Sequence, residues 1–252
     1  MKVLLIGGSG HVGTMITPYL AREHELRVFD MRPPTHKLEY VPGSVTDEAA
    51  IRRAIDGVDT FIWLVMKSPQ GGSVTDQTPQ VIVDNYAVNN MGLHLFLWLA
   101  QGAGIKRGVY TSTMSVHHRE RDFYTSEEDT PYDTPSAYGL SKGFGEQICR
   151  YFARWFGMNL IGLRITGPRT REQWLAERAN PAAFDGKAKI YVTDEEDLAT
   201  AYLAALRAVQ TGHGRFDAVF ITGDETGNAH NMSKAKRLLG WEPRTHLRVK
   251  AK

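Results

Sequence analysis

Tyr138 and Lys142 are separated by Gly139-Leu140-Ser141. On a helix that spacing puts a phenol and an ammonium on one face, one turn apart. A phenol with a pKa of about 10 is a poor base at neutral pH. A neighbouring ammonium stabilises the phenolate and lowers that pKa. Such a pair moves a proton on a carbinol oxygen while a separate carrier takes the hydride. The pattern alone is weak, because an exposed helical pair matches it equally well. Its context is Val109-Tyr110-Thr111-Ser112-Thr113-Met114-Ser115-Val116, in which Thr113 lies 25 residues before Tyr138. A strand ending in hydroxyl residues presents one of them to a substrate oxygen; the plain alternative is a strand end with satisfied hydroxyls.

A second cluster, Gly7-Gly8-Ser9-Gly10-His11-Val12-Gly13, follows an apolar run and opens an amphipathic one. Glycines at 7, 10 and 13 allow positive φ and let the backbone approach a pyrophosphate. The free N–H groups of the following helix then face that anion. A glycine triplet by itself fits any tight turn. Here Asp30 closes the next apolar run, 20 residues after Gly10, where a carboxylate takes ribose hydroxyls. The pattern predicts a dinucleotide site that favours NAD over NADP, since Asp30 repels a 2′-phosphate. Arg32 lies close enough to soften that preference.

The elements that must hold these residues follow from periodicity. Val3–Ile6, Leu26–Phe29, Thr60–Val65, Gly108–Ser112 and Leu160–Ile165 read as strands. Between them lie amphipathic helical runs at 12–20, 49–55, 81–102 and 136–156. Pro18 falls inside the first, where it should bend the helix or cost about 3 kcal/mol. Doubly apolar strands alternating with helices mean a parallel sheet covered on both faces. The expected class is α/β, a Rossmann-type doubly wound sheet over 1–252, with a small substrate lobe at about 166–190 and 222–252.

In this order and spacing the chain resembles the extended short-chain dehydrogenases/reductases, in the NAD-dependent epimerase/dehydratase branch. The resemblance rests on the glycine turn, Asp30, Gly43-Ser44-Val45-Thr46-Asp47, Asn89-Asn90-Met91-Gly92, Ser112-Thr113, Tyr138/Lys142 and Gly240-Trp241-Glu242-Pro243. It implies that Tyr138 is the catalytic acid/base, that Lys142 tunes it and holds the nicotinamide ribose, and that Thr113 is the third catalytic hydroxyl, with Ser112 as its neighbour in an adjacent register. Asn89 then supports the site from behind. NAD is expected against Gly7, Gly10, His11, Val12, Gly13, Asp30, Ser44, Val45, Leu64, Asn89, Tyr138, Lys142 and Ile165. Ser44 replaces an acidic residue common in relatives, and Trp63-Leu64-Val65-Met66 replaces a run of small residues near the cofactor.

Only about 20 residues separate Pro168 from the apolar run at Ile190. That is little protein to cradle a nucleotide-linked sugar, so a small free sugar or sugar acid fits better. Compact relatives that oxidise uronic acids share the run Tyr138 to Lys142 followed by Phe144-Gly145-Glu146. Expected substrate contacts are Ser68, Met114, Ser115, His117, and Arg169 or Arg171 for a carboxylate. Two alternatives stand beside this reading: an epimerase or dehydratase of nucleotide-linked sugars, and a non-catalytic NAD-binding protein.

Lys plus Arg is 30 against Asp plus Glu 28, a net charge of +2 over 252 residues. That balance makes no case for nucleic acid or a membrane surface. The lone Cys149 excludes an internal disulfide and a thiolate zinc cluster, no metal is assigned, and Cys149 reads as a small buried filler. Trp174 walls the pocket or fills the lobe. Thr193-Asp194-Glu195-Glu196-Asp197 reads as a helix start, where acidic residues suit the dipole. The apolar run at 3–6 is too short for a secretion signal, so a cytoplasmic location is expected. Helices 81–102 and 136–156 are too apolar for free exposure, and relatives pair them across a two-fold axis, so a homodimer is expected.

Overall fold

The computed structural model describes residues 1–67, 73–179, 191–212 and 214–249. Strand β1 (Lys2–Ile6) leads through the glycine turn into helix α1 (His11–Leu20). β2 (Glu25–Asp30), β3 (Glu39–Pro42), α2 (Glu48–Ile55) and β4 (Thr60–Trp63) complete the first half. Helices α3 (Pro79–Tyr86) and α4 (Leu93–Gly102) come next, then β5 (Arg107–Thr113), α5 (Ala137–Phe156) and β6 (Asn159–Ile165). The last part holds β7 (Pro168–Arg169), α6 (Arg171–Ala179), β8 (Thr193–Asp194), α7 (Glu195–Thr211), β9 (Phe216–Ile221), α8 (Ser233–Leu239) and α9 (Thr245–Arg248).

Seven strands form one parallel sheet in the order β3-β2-β1-β4-β5-β6-β9. The order reverses between β1 and β4, and ligands of such sheets bind in the crevice outside the strand ends at that point. Apolar residues of the strands alternate between two cores. Val3, Leu5, Val28 and Ile161 pack with Ile16, Leu198 and Tyr202 on one face. Leu4, Ile6, Phe61 and Trp63 pack with Phe96 and Phe152 on the other. This is the doubly wound arrangement that the alternating pattern predicts. No described helix is long and apolar enough to cross a membrane.

Pro18 sits inside α1. It removes the N–H that would bond the carbonyl of Thr14, and the His36 ring lies 3.1 Å from that oxygen, where Nε2–H can donate to it. The backbone acceptor freed by the proline is thus recovered by a side chain from the loop after β2.

Three elements differ from the sequence expectation. The helix expected at 81–102 starts at Pro79, capped by the Thr78 hydroxyl, and is interrupted by a π-helical turn over Ala87–Gly92. β3 is a short polar edge strand, with Arg27 opposite Glu39, so no apolar run announces it. β9 pairs with β6 and carries Asp217 within an otherwise apolar run. The expected apolar strand at Ile190 lies outside the described residues, as does part of the proposed 166–190 lobe segment. Asp194 caps α7 by accepting from the amide of Glu196, the role read from the acidic run.

Candidate active site

The glycine turn brings the backbone to the crevice. Gly7 has φ +82°, and a Cβ there would meet the Val65 backbone nitrogen at 2.8 Å. A Cβ at Gly13 would fall onto the Gly8 backbone. Both positions therefore require glycine if α1 is to start this close to β1 and β4. No side chain caps the start of α1, so its first N–H groups are left for an anion. Asp30 ends β2 beside this turn, its carboxylate accepting from the amides of Ser9 and Arg32 at 3.1 Å each.

A cavity of about 800 Å³ runs from this turn across the ends of β1, β4 and β5. Pockets of several hundred cubic ångströms are typical for small ligands and cofactors. Gly7, Gly10, His11, Val12, Gly13, Asp30, Ser44, Val45, Leu64 and Ile165 line it, as do Tyr138, Lys142, Thr113, Met114, Ser115 and Arg169. The His11 ring also bonds the Pro168 carbonyl at 3.3 Å. A glycine cradle that a Cβ would fill, an open helix start and a strand-end carboxylate together fit a dinucleotide.

Tyr138 and Lys142 stand in the first turns of α5, whose start is capped by Ser136 accepting from Gly139. Burial pushes the Tyr138 phenol up to about 12, and its hydrogen bond with Thr113 pulls the other way. The phenol O–H lies 3.7 Å from the Met66 sulfur, so the Trp63-to-Met66 run turns toward α5 after leaving β4. Lys142 is buried, which brings its ammonium down to about 7 against the nearby Glu146 carboxylate. Its Nζ lies 4.5 Å from the centroid of the Tyr110 ring. Thr113 ends β5, and its Oγ1 accepts from the Ser115 amide.

Ser112 takes a different partner. Its hydroxyl donates to Glu146 at 2.5 Å, inside a buried cluster behind the site. Glu146 also accepts from Tyr132 at 2.7 Å and from Nε and Nη2 of Arg164 at 2.9 and 2.8 Å. Ser112 and Thr113 both line the cavity, but the Ser112 hydroxyl is committed to Glu146 while Thr113 is the one coupled to the Tyr138 phenol.

Three expected contacts are placed elsewhere. His117, expected to face the pocket, is buried in that same cluster and does not line the cavity. Its Nδ1 donates to the Pro131 carbonyl at 2.7 Å, leaving Nε2 to accept from Arg164 at 3.1 Å. Burial lowers its pKa to about 4, so it is a neutral part of the core. Arg171 is held by Asp194 at 2.6 Å and Glu196 at 2.8 Å, away from the cavity. Asn89 does not line the cavity either. Its Oδ1 accepts from the Lys67 amide and its Nδ2 donates to Ser141, so the π-helical turn ties the loop after β4 to α5. Ser68 lies outside the described residues. Arg169 lines the cavity but is paired with Glu177 at 2.5 Å. Trp174 is buried and stacks under Arg178 rather than walling the cavity. Cys149 is buried, as its apolar surroundings predict.

Arg119, Tyr124 and His230 also line the cavity and were not anticipated. Arg119 is exposed and forms no ion pair among the described residues. Its one sequence signal is its place directly after the Thr113-to-His118 run. His230 comes from the polar segment after β9, where no local pattern marks it. Among the described residues no group of three His, Cys, Asp or Glu side chains is arranged to hold a metal.

A family model described as the NAD dependent epimerase/dehydratase family matches residues 3–221. A 3β-hydroxysteroid dehydrogenase/Δ5→4-isomerase of Mycobacterium tuberculosis is 37% identical over 138 residues, covering 52% of this chain and 36% of that protein. A uronate dehydrogenase of Pseudomonas syringae pv. tomato is 26% identical over 169 residues, covering 65% of this chain and 58% of that protein. The chain spans about a third to a half of the length of the most similar curated relatives. A short-chain dehydrogenase/reductase superfamily protein from Agrobacterium tumefaciens, solved with bound NAD, superposes with a TM-score of 0.72. That structure is 22% identical, over 96% of this chain and 92% of the other, and shows the shared fold.

Proposed function

The chain belongs to the NAD-dependent epimerase/dehydratase family, and from that premise we propose that it is an NAD-dependent dehydrogenase of a small polyhydroxylated substrate, a sugar or sugar acid. The observation that carries this reading is the meeting of Tyr138, Lys142 and Thr113 at one cavity whose other walls are the glycine turn and Asp30. NAD, when bound, supplies the hydride acceptor.

The chain's own residues do the rest. Asp30 takes the adenosine ribose hydroxyls, and the start of α1 takes the pyrophosphate. Thr113 orients the substrate oxygen toward the Tyr138 hydroxyl. In the oxidative direction Tyr138 removes the carbinol proton, and the charged form of Lys142 favours the phenolate that does so. In the reductive direction the protonated phenol returns that proton to the carbonyl oxygen. The Glu146 carboxylate one turn beyond Lys142 favours its ammonium.

The two-residue strands β7 and β8 beside the cavity support a small substrate. Arg169 is neutralised by Glu177, so a substrate carboxylate is better met by Arg119. We also infer a homodimer through helices 81–102 and 136–156, because Val83, Met91, Trp98 and Trp155 are each more than half exposed there. Light scattering on the purified protein reads that mass directly.

The test is NADH absorbance over a panel of aldoses and uronic acids. Net NADH from a member of the panel supports the dehydrogenase. Turnover of a nucleotide-linked sugar with no net NADH would instead make the protein an epimerase, whose cofactor is regenerated each cycle.

A further inference from the structure

His230 has a side chain 5% exposed and sits in the wall of the cavity that holds Tyr138. Its Nδ1 is 3.3 Å from Oδ2 of Asp224, which is fully buried. That carboxylate is an acceptor throughout: it takes the amides of Ala229 at 2.8 Å and of His230 itself at 2.9 Å, and the Thr226 hydroxyl at 3.0 Å. An ionised carboxylate has no proton to give, so the Nδ1 of His230 must be the donor. The proton is thereby fixed on Nδ1 and the lone pair on Nε2.

The ring is held firmly. Tyr124 stacks on it with centroids 4.8 Å apart and planes within 5°, and Tyr191 packs edge-on at 5.4 Å. The Tyr124 segment is laced to it by backbone bonds from Tyr124 to Ala229 at 2.7 Å and from Asn231 to Tyr124 at 2.9 Å. Burial lowers the imidazole pKa despite the facing carboxylate, so the ring is neutral near pH 7. Yet Nε2 has no hydrogen-bond partner among the described residues. Nε2 is not among the fully buried atoms left without a partner; it keeps access in a residue that lines the cavity, where its lone pair can accept from a ligand hydroxyl.

We propose that His230 is a substrate-binding, specificity-determining residue, its Nε2 accepting a hydrogen bond from a hydroxyl of the substrate remote from the reacting carbinol, with Asp224 positioning the ring and Tyr124 bracing it. This inference rests on the dehydrogenase reading above and narrows it. An acceptor fixed in the wall favours a polyol and disfavours an apolar alcohol, which would leave the nitrogen unmatched.

Histidine ¹⁵N NMR and ligand binding test this independently. The proposal requires a neutral His230 with its proton on Nδ1; a proton on Nε2 would overturn it, whatever the substrate proves to be. His230→Phe keeps the stacked ring and removes the acceptor. In the NADH complex, calorimetry with an aldose and its series of deoxy analogues should show the wild type preferring one hydroxyl by roughly 3- to 10-fold. The variant should lose that preference while its Kd for NADH stays unchanged. A preference that survives in the variant, or a Kd for NADH that weakens in step, would overturn the assignment of His230 and leave the dehydrogenase reading standing. A wild-type protein that oxidises only apolar alcohols and binds no sugar would overturn both.

Discussion

Glu146→Gln should destabilise the protein far more than an isosteric change suggests. The Glu146 and Arg164 side chains are both 0% exposed. Glu146 receives four hydrogen bonds, from Ser112, Tyr132 and two nitrogens of Arg164. A glutamine turns one acceptor oxygen into a donor that must face other donors, and it leaves the Arg164 guanidinium buried without an anion. Breaking a buried pair in this way costs about 3–5 kcal/mol, a large share of the 5–15 kcal/mol typical of a folded domain. Arg164→Met should cost a similar amount by stranding Glu146. The double variant removes both charges together, so its loss should fall short of the two single losses combined by about 2–3 kcal/mol. Urea unfolding at pH 7 reads all three. Losses additive to within about 0.5 kcal/mol would mean that the two charges are not coupled, and would refute the view of this cluster as one unit bracing Ser112 and α5.

Two further predictions concern His117 and the cofactor. The His117 imidazole falls from an ordinary 6.5 to about 4 in the folded protein, a difference worth about 3 kcal/mol at 1.36 kcal/mol per pKa unit. Between those values the unfolded chain binds the proton and the folded one does not, so this stability is complete above pH 6.5 and is lost as pH falls toward 4. Urea midpoints should therefore drop more steeply over that window for wild type than for His117→Gln, and parallel curves would remove the assignment. Asp30→Ala should weaken NAD and narrow the gap to NADP, with Arg32 left to meet a 2′-phosphate; calorimetry that finds NADP bound as tightly as NAD by wild type would overturn the role given to Asp30.

What was legible in the sequence was whatever spacing alone dictates. The glycine turn, Asp30 and the Tyr138/Lys142 pair are fixed by local backbone geometry, and all of them line one cavity. The alternation of apolar runs was enough for the doubly wound sheet, because both faces of each inner strand must be covered. Side chains whose partners are distant in sequence were not legible. Arg171 meets Asp194 and His117 meets Arg164 only after the chain has folded, and a free loop arginine or histidine looks the same on the page. The π-helical turn at 87–92 leaves no mark in hydrophobic periodicity, since its extra residue only shifts the phase. His230 was invisible because its importance comes from Asp224 and Tyr124, the latter 106 residues earlier.

The central claim is that Tyr138 carries the proton while bound NAD takes the hydride. Its most direct measurement sets wild type beside Tyr138→Phe, using NADH formation from the panel sugar that wild type oxidises best and calorimetry for NAD. The account predicts a rate lower by on the order of 10²–10⁴, as expected for loss of a general acid–base group, while NAD binding survives. Near-native turnover by Tyr138→Phe would contradict it.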